Sequence, residues 1–263
     1  TLSIGQRIGG DGPYRGFIDE LTIWNKTLSA EEIRDMYIRG VKRLDLSVRS
    51  CDDGICLGES FTSVNGGSPQ DLSIEDNRYF QYQFDFETDN ISYSPELYNV
   101  TINYNSLYDS DFTYMIDDNA GTTTIYGYMS GVLDNLFFNT SIRALQLSPS
   151  NYDGNYTSQV FPAGYYATWN NISWVSNYMG ALPDNASEEG LNMSGNVLLF
   201  HYDNNSAYGE NGSHIYDFSG NNNNGSCMGV SCPVYNDSGR FSKAMSFNNN
   251  NITVPFSPTL NIT

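Results

Sequence analysis

Positively charged side chains are scarce in this sequence, in which 12 Lys and Arg stand against 30 Asp and Glu. The resulting net charge of −18 excludes nucleic-acid binding, because phosphates need a basic surface, and it argues against docking on an anionic membrane. No apolar run approaches the roughly 18 residues needed to span a bilayer. Charged residues make up only 16% of the chain, so it is not a disordered acidic tail either.

Uncharged polar residues supply most of the polarity. The chain contains 31 Asn and 20 Tyr, together with many Ser and Thr. This composition is typical of secreted, β-rich proteins. The sequence begins at Thr1 with neither an initiator Met nor a signal sequence, so we interpret it as a mature form or an excerpt of a longer protein.

Glycosylation sequons are more frequent than chance predicts. Asn-x-Ser/Thr occurs fourteen times, whereas the Asn, Ser and Thr content alone would give roughly five. An Asn-rich chain produces some sequons by accident, but this excess predicts that many carry N-linked glycans on an extracellular surface. The sequons are at Asn25, Asn90, Asn99, Asn139, Asn155, Asn171, Asn185, Asn192, Asn204, Asn211, Asn224, Asn236, Asn251 and Asn261.

The four cysteines form two local pairs, each with four intervening residues. Proximity favours the disulfides Cys51–Cys56 and Cys227–Cys232, each stabilising the fold by roughly 2 kcal/mol. The alternative is a four-thiolate zinc site, which the wide separation of the pairs and the four-residue spacer disfavour.

Alternating apolar and polar residues predict an all-β fold of jelly-roll or β-sandwich modules with one short helix. Clusters of Gly and Asn between the alternating stretches are typical of tight turns. The predicted strands include Tyr79–Thr88, Leu97–Tyr104, Ala167–Val175, Asn196–Tyr202 and Asn251–Phe256.

The helix is predicted in "LSAEEIRDMYIRG". Ser29 and Glu32 have the spacing of a capping box. Ile33, Met36 and Tyr37 then share one helical face, which we expect to pack on the sandwich that precedes it.

A weak internal similarity links two stretches of the chain. "GFIDELTIWNKTL" (16–28) and "GVLDNLFFNTSI" (131–142) share a Gly, an Asp, a Leu and a following sequon. The similarity indicates either a degenerate repeat or two strand pairs with similar exits.

Motifs near the two ends resemble the two halves of one known fold. "SIGQRIGG", "GFIDELTIWN" and "LSAEEI" resemble the C-terminal end of laminin-G-like, concanavalin-A-like jelly rolls. "DFSGNNNNG" (Asp217–Gly225) and "GRFSKAMSF" (Gly239–Phe247) resemble the N-terminal half of the same family. The resemblance implies a jelly roll that is split between the chain ends, with its halves in reverse order.

The interior shows a similar inversion. Val48–Tyr104 resembles the closing half of a β-sandwich module of secreted, often archaeal, surface proteins. Tyr156–Trp174 resembles the opening half of that module, with Pro162 where the family has Asp. We therefore divide the chain into a C-terminal jelly-roll half, a sandwich segment with a local disulfide, a second sandwich segment and an N-terminal jelly-roll half, at 1–43, 44–107, 108–190 and 191–263.

The reversed halves suggest a function in assembly. Unpaired strand edges can be satisfied by another copy, and a head-to-tail contact of this kind produces open filaments. We expect a structural subunit of an extracellular filament or surface layer, with copies of itself as the partner. One alternative is an excerpt of a single long polypeptide. Another is a carbohydrate-binding, lectin-like repeat of a large cell-surface adhesin, whose glycan ligands would stack on some of the many aromatic residues.

The jelly-roll resemblance also implies a structural Ca²⁺. By that resemblance the oxygen ligands would be Asp19, Asp217, Asn221 and Asn223. The alternative is that Asp217 caps its own turn and that Asp19 accepts backbone hydrogen bonds. Two other acidic stretches, "CDDG" and "MIDDNAG", are interpreted as solvated turns.

Catalysis is not expected. The sequence has no G-x-S-x-G elbow, no P-loop and no H-E-x-x-H motif. Acidic residues are too plentiful for any pair to indicate a glycosidase. His201 is expected to be a packed or surface histidine, and we predict that the protein is not an enzyme.

Overall fold

The structure is a computed structural model that describes residues 1–6, 12–64, 67–119, 130–177, 180–185, 187 and 191–262. Parts of the motif "SIGQRIGG" and of the acidic stretch "MIDDNAG" lie outside these ranges. The chain folds into two compact units. Unit 1 combines residues 1–37 with 181–263, and unit 2 comprises residues 38–180.

Both units consist of antiparallel sheets, and the predicted all-β class is confirmed. The sandwich-like arrangement of the sheets is consistent with a jelly-roll-like fold. Within the described ranges, one α-helix forms, and it is neither long nor apolar enough to cross a membrane.

The elements follow the predicted pattern of short strands and frequent turns. The N-terminal segment forms β1 (Leu2–Ile4), β2 (Arg15–Ile18), β3 (Leu21–Trp24) and α1 (Ala30–Gly40). Unit 2 forms β4 (Lys42–Cys51), β5 (Thr62–Val64), β6 (Gln70–Asp71), β7 (Asn77–Thr88), β8 (Leu97–Ser106), β9 (Asp109–Asn119), β10 (Val132–Asp134), β11 (Leu136–Asn139), β12 (Ala144–Leu147), β13 (Asp153–Thr157) and β14 (Phe161–Ser176). The C-terminal segment forms β15 (Asn196–Phe200), β16 (His214–Ile215), β17 (Gly225–Ser226), β18 (Val234–Asn236), β19 (Ala244–Asn248) and β20 (Ile252–Val254), with 3₁₀ turns at Ser206–Tyr208, Gly229–Ser231 and Pro258–Leu260.

Strand β14 pairs with both β7 and β8 within the 11-stranded sheet of unit 2. Its first residues pair with β7, and from Ala167 onward it pairs with β8. The register shifts between Pro162 and Ala167, where Gly164 has a φ of 80° that a side chain would oppose. An irregularity of this kind bends a strand and increases its local twist within the sheet.

The core of unit 2 is rich in aromatic side chains. The alternation in "YFQYQFDFET" places Phe80, Tyr82, Phe84 and Phe86 fully inside, which confirms the predicted half-buried strand. Trp169 of β14 packs against Phe80, with ring centroids 4.9 Å apart. Strands from both predicted sandwich segments, 44–107 and 108–190, therefore share one core.

The cysteines form both disulfides favoured by proximity. Cys51–Cys56 closes a loop at the end of β4, and Cys227–Cys232 closes a loop after β17. All four sulfur atoms are used in these bonds, which leaves no thiolate for the zinc alternative.

Unit 1 is built from three small sheets. Their strand orders are β1–β20–β17–β16, β15–β3 and β18–β19–β2. Strand β15 is buried along its whole length. Its Leu198 and Phe200 enter one apolar cluster, and Leu199 enters a second cluster with Leu191 and Phe218. The strand predicted at 196–202 is thus confirmed over Asn196–Phe200, and it contributes side chains to both apolar clusters of the unit.

Helix α1 begins as predicted, but its predicted packing face is only partly correct. Ser29 Oγ accepts from the Glu32 backbone N–H at 3.1 Å, and Glu32 Oε2 accepts from the Ser29 N–H at 2.9 Å, which forms the capping box. The expectation that Ile33 and Tyr37 pack with Met36 is wrong, because these two side chains are 54% and 50% exposed. Met36 does pack, against the cluster of Leu191 and Phe218. Arg39 is buried, and Glu32 is half-buried and forms an ion pair with Lys26 at 2.6 Å.

The internal similarity in sequence corresponds to a shared backbone shape. Both stretches form a strand, a bend and a second strand: β2 and β3 in one case, β10 and β11 in the other. The bend residues, Glu20 and Asn135, have φ values of 51° and 54°. The two Asp-x-Leu turns therefore use the same left-handed conformation.

Candidate functional site

The candidate site is the seam of unit 1, defined as the contacts between the N-terminal segment (residues 1–37) and the C-terminal segment (residues 181–263). Each described strand of the N-terminal segment pairs with a strand of the C-terminal segment: β1 with β20, β2 with β19 and β3 with β15. In the described part of the chain, none of the three pairs with another strand of its own segment. The N-terminal segment therefore contributes one strand to each of three sheets.

Side-chain hydrogen bonds support the β3–β15 pairing. Thr22 Oγ1 donates to the Leu198 carbonyl at 3.2 Å. Asn196 Nδ2 donates to Thr22 Oγ1 and, at 3.2 Å, to the Ile23 carbonyl. Past the end of β3, the Asn25 N–H donates to the Gly195 carbonyl at 2.9 Å. These polar contacts fix the register of a short two-stranded sheet.

A buried ion-paired histidine crosses the seam. His201 Nδ1 lies 2.6 Å from Glu20 Oε1 of the N-terminal segment, and His201 Nε2 lies 2.9 Å from Asp184 Oδ1. Burial alone would lower the pKa of His201, but the hydrogen bonds to Asp184 and Glu20 outweigh it and raise the pKa to about 10. The imidazole is therefore protonated at neutral pH. Glu20 Oε2 also accepts from the Leu182 N–H at 2.9 Å.

Asp19 makes a second charged contact across the seam. Its Oδ2 accepts from the backbone N–H groups of Arg240 at 2.6 Å and Phe241 at 3.1 Å. Its Oδ1 is buried and has no hydrogen-bond partner among the described residues. Burial raises the pKa of Asp19 to about 6 against the effect of the two N–H donors, and the Glu20 and Asp203 charges add to the rise.

Further acids and two tyrosines surround these contacts. Burial raises the pKa of both Asp203 and Glu210. The Tyr202 and Tyr235 hydroxyls are buried without a partner among the described residues. Burial, and then the charges of neighbouring groups, raise the pKa of each tyrosine far above its usual value. We call Asp19, Glu20, Asp184, His201, Asp203 and Glu210 the acidic cluster.

The backbone near the acidic cluster is strained. Glu20, Tyr202 and Ser242 are not glycine, yet their φ values are 51°, 65° and 64°. Such conformations cost on the order of 1–3 kcal/mol each and persist only where surrounding contacts determine them. For a residue as bulky as Tyr202 the conformation is unusual. The hydrogen bonds and ion pairs across the seam are the contacts that hold it.

The arrangement is suited to holding two segments together. Within the acidic cluster, His201 and Glu210 are buried, Asp184 is exposed and the other three residues are half-buried. The charged groups contact each other or backbone N–H groups. Within the described ranges, no group of three or more His, Cys, Asp or Glu side chains is placed to hold a metal ion.

The residues predicted as calcium ligands have hydrogen-bonding roles. Asp217, which is 1% exposed, accepts from the backbone N–H groups of Leu199 and Ser219, both at 3.0 Å, and of Asn223 at 2.8 Å. Asn223 Nδ2 donates to the Val197 carbonyl at 2.7 Å and to a threonine hydroxyl. These are the contacts that the alternative interpretation predicts for the loop.

Asn221 and Asp19 complete the predicted ligand set. Asn221 Nδ2 donates to the Asn196 carbonyl at 3.2 Å and to Ser219, so it also supports the loop locally. Asp19 accepts from the backbone N–H groups of Arg240 and Phe241, which lie outside the loop that contains the other three residues. Calcium binding by these four residues stays a prediction.

The predicted sequons differ in exposure. Six have an exposed Asn, and the others have a half-buried one. The exposed sequon residues are Asn25, Asn185, Asn192, Asn204, Asn211 and Asn261. The half-buried ones are Asn90, Asn99, Asn139, Asn155, Asn171, Asn224, Asn236 and Asn251.

Sequence reasoning missed most of the acidic cluster. His201 is packed, which is one of the two expected environments, but its position between two carboxylates is not indicated by the sequence. One available signal was its position in the apolar stretch "LLFHYD", because a histidine in a buried strand needs polar partners. Glu20 and Asp184 lie far from it in sequence, so no local pattern identified them.

Comparisons with protein-family models, with curated proteins and with solved structures found no match to this chain.

Proposed function

We propose that this protein is a structural subunit of an extracellular, N-glycosylated filament or surface layer, which assembles head to tail through the seam. One observation carries the proposal: each described strand of the N-terminal segment pairs only with the C-terminal segment. The N-terminal segment therefore provides strands that complete sheets belonging to another part of the sequence. Its role resembles that of a donor strand in β-strand complementation.

The seam contacts do not depend on which copy supplies the N-terminal segment. In the single chain, one molecule supplies both segments, and Asp19 contacts Arg240 of the same chain. If the N-terminal segment of one copy fills the C-terminal segment of the next, the same hydrogen bonds and ion pairs form between copies. Every internal copy then uses both of its segments, and one segment stays unpaired at each end of the assembly. The contact is therefore heterologous and the assembly stays open.

The composition supports an extracellular location for this assembly. Two disulfides are formed, and disulfides persist in oxidising compartments. The fourteen sequons agree with secretion. The laminin-G-like and archaeal surface-protein resemblances are part of the proposal and rest on the motifs in the sequence.

Light scattering after size-exclusion chromatography tests the proposal. We expect a series of species at multiples of the chain mass, with a distribution that shifts upward as the protein concentration is raised through the micromolar range. Fibres of uniform width in electron micrographs are the expected end point. A folded monomer at every concentration contradicts head-to-tail assembly.

One specific observation favours carbohydrate binding as a second candidate function. Tyr108 and Tyr165 of unit 2 are 79% and 58% exposed, and their rings stack with centroids 4.8 Å apart. Tyr166 beside them is 50% exposed. Outward-facing aromatic rings are suited to stacking on the apolar face of a sugar ring.

A glycan array tests this second candidate. We expect binding to at least one glycan that is lost in the double variant Tyr108→Ser/Tyr165→Ser and kept in Tyr152→Ser, which removes another exposed tyrosine. No hits with the native protein, or hits that survive the double variant, contradict the assignment to this tyrosine pair.

A further inference from the structure

The fourteen sequons fall into structurally different classes. Six are exposed, and all six lie in unit 1. The five sequons of unit 2 are half-buried, and four of these lie within strands. The four strand sequons are Asn99, Asn139, Asn155 and Asn171.

The exposed sequons present an accessible side-chain amide. Among the described residues, the side chains of Asn25, Asn185, Asn204 and Asn261 make no hydrogen bond. An N-linked glycan replaces a hydrogen of Nδ2 and adds a large hydrophilic group. It can be attached at these positions without breaking a contact.

The other two exposed sequons have a favourable local geometry. Asn192 Oδ1 accepts from the Ser194 N–H at 3.0 Å, and Asn211 Oδ1 accepts from the Ser213 N–H at 2.9 Å. Each Asx turn uses the carbonyl oxygen of the sequon Asn. The Nδ2 atoms make only long contacts, of 3.4 Å and 3.3 Å.

The strand sequons use their side chains within the sheets. Asn139 Nδ2 donates to Gln146 Oε1 at 2.8 Å, and Asn155 Nδ2 donates to Asp85 Oδ1. Asn171 Oδ1 accepts from Asn103 Nδ2 at 2.8 Å. Asn99 lies in β8, which is paired on both sides, with β14 and β9. A glycan on Asn139 or Asn155 would break a bond of Nδ2 to the neighbouring strand. At Asn99 and Asn171, whose backbones are paired on both sides, it would crowd a sheet face.

Three of the six exposed sequons directly follow a residue of the acidic cluster in the sequence. Asn185 follows Asp184, Asn204 follows Asp203, and Asn211 follows Glu210. Asn25 and Asn192 flank the β3–β15 pairing from opposite segments, where the Asn25 N–H bonds the Gly195 carbonyl.

We propose that the N-linked glycans are carried by the six exposed sequons of unit 1 and that the four strand sequons of unit 2 are left unmodified. This inference rests on the extracellular glycoprotein part of the proposed function. It adds a location: the glycans lie on unit 1, and most of the modified residues are close in sequence to residues of the seam.

Site-by-site glycan occupancy tests the inference. The protein is secreted from cultured eukaryotic cells, digested, and treated with peptide N-glycosidase in ¹⁸O-water, which marks each formerly glycosylated Asn. We expect the mean occupancy of the six exposed sequons to be at least fivefold that of the four strand sequons. A smaller ratio, or no label at any of the ten sites, overturns the inference.

Stability measurements provide an independent check. We expect Asn155→Gln to lower the thermal midpoint of unit 2, because it displaces the amide from Asp85, and Asn261→Gln to leave the thermal midpoint of unit 1 unchanged. Equal effects overturn the structural role of the strand sequon. The oligomeric state of the same preparation is measured separately, so failed assembly is distinguishable from a wrong glycan map.

Discussion

At the scale of single residues, the seam depends on a buried positive charge. We expect His201→Gln to lower the unfolding free energy of unit 1 by about 3 kcal/mol, because breaking a buried ion pair leaves an uncompensated carboxylate. The effect should lie at the low end of the usual range since the Asp184 side chain is 48% exposed. Urea unfolding measures it.

The other histidine provides the control for this variant. His214 has its backbone in the β16–β17 pair and is only partly buried, so His214→Gln should change the unfolding free energy by less than about 1 kcal/mol. Equal losses for both variants would show that the ion pairs of His201 with Glu20 and Asp184 make no specific contribution to the unfolding free energy.

Deprotonation of His201 should make unit 1 less stable at alkaline pH. Its folded-state pKa of about 10 lies above the ordinary value of 6.5, so the stabilisation is complete below pH 6.5 and is lost as the pH rises through about 10. We expect the stability difference between the native protein and His201→Gln to shrink from pH 7 to pH 10.5. A constant difference over this range contradicts a protonated His201.

Asp19 should make the stability of unit 1 depend on pH in the acidic range. Its folded-state pKa of about 6 exceeds the ordinary 3.8, so the folded state binds more protons than the unfolded state between these values. Acidification from pH 6 to pH 4 therefore contributes stability through this group. Asp203 and Glu210 act in the same direction in both proteins, so the difference between the native protein and Asp19→Asn isolates the Asp19 contribution. A pH-independent difference in thermal midpoint contradicts this assignment.

Removing calcium tests whether Asp217 acts only as a hydrogen-bond acceptor or also as a calcium ligand. Because Asp217 accepts three backbone N–H groups, we expect unit 1 to keep its thermal midpoint within about 1 °C when EGTA replaces calcium chloride in the buffer. A fall of several degrees, abolished in Asp217→Asn, would instead support the ligand set implied by the jelly-roll resemblance.

At the scale of elements, the capping box is a local device with a testable contribution. Ser29→Ala removes the hydroxyl that accepts from the Glu32 N–H, and we expect it to cost about 1 kcal/mol of unfolding free energy. Glu31→Gln, at a side chain that is 79% exposed in the same turn, should cost less. Similar values for both would show that the cap is not stabilising.

The sequence predicted the helix and strands better than their contacts, because helices and strands follow local patterns whereas contacts join residues that are distant in sequence. The alternation in "YFQYQFDFET" and the spacing of Ser29 and Glu32 are local patterns, and both are confirmed in the structure. The predicted packing face of α1 is only partly correct. Met36 packs against an apolar cluster, whereas Ile33 and Tyr37 are exposed, because apolar spacing along a helix does not specify which neighbouring surface each side chain meets.

Contacts across the seam could not be predicted in the same way. Glu20 and His201 are 181 residues apart. Neither lies in a local sequence pattern that identifies the other as its partner. Asp19 and Glu20 join the other four residues of the acidic cluster, which lie in the C-terminal segment, only when the two segments pair. The Asp19–Glu20 bend was visible as a motif, but its left-handed backbone became clear only beside Asn135 of the similar stretch.

At the scale of the whole molecule, the central claim is that the N-terminal segment of one copy completes the C-terminal segment of another. Phe17 and Ser246 are direct partners in the β2–β19 pair, so cysteines at these positions should cross-link wherever the two strands meet. Two controls calibrate the experiment. Phe17→Cys/Ser246→Cys in one chain tests the geometry, and Phe17→Cys mixed with Val230→Cys, at a 98% exposed loop position, measures random coupling.

The deciding measurement mixes Phe17→Cys protein with Ser246→Cys protein, unfolds and refolds them together with the native disulfides intact, and oxidises the product. Assembly through the seam predicts covalent dimers that contain one copy of each variant, well above the level of the Val230→Cys mixture. Uncoupled chains in the mixture, together with an efficient cross-link within the double variant, would show that each chain completes only itself.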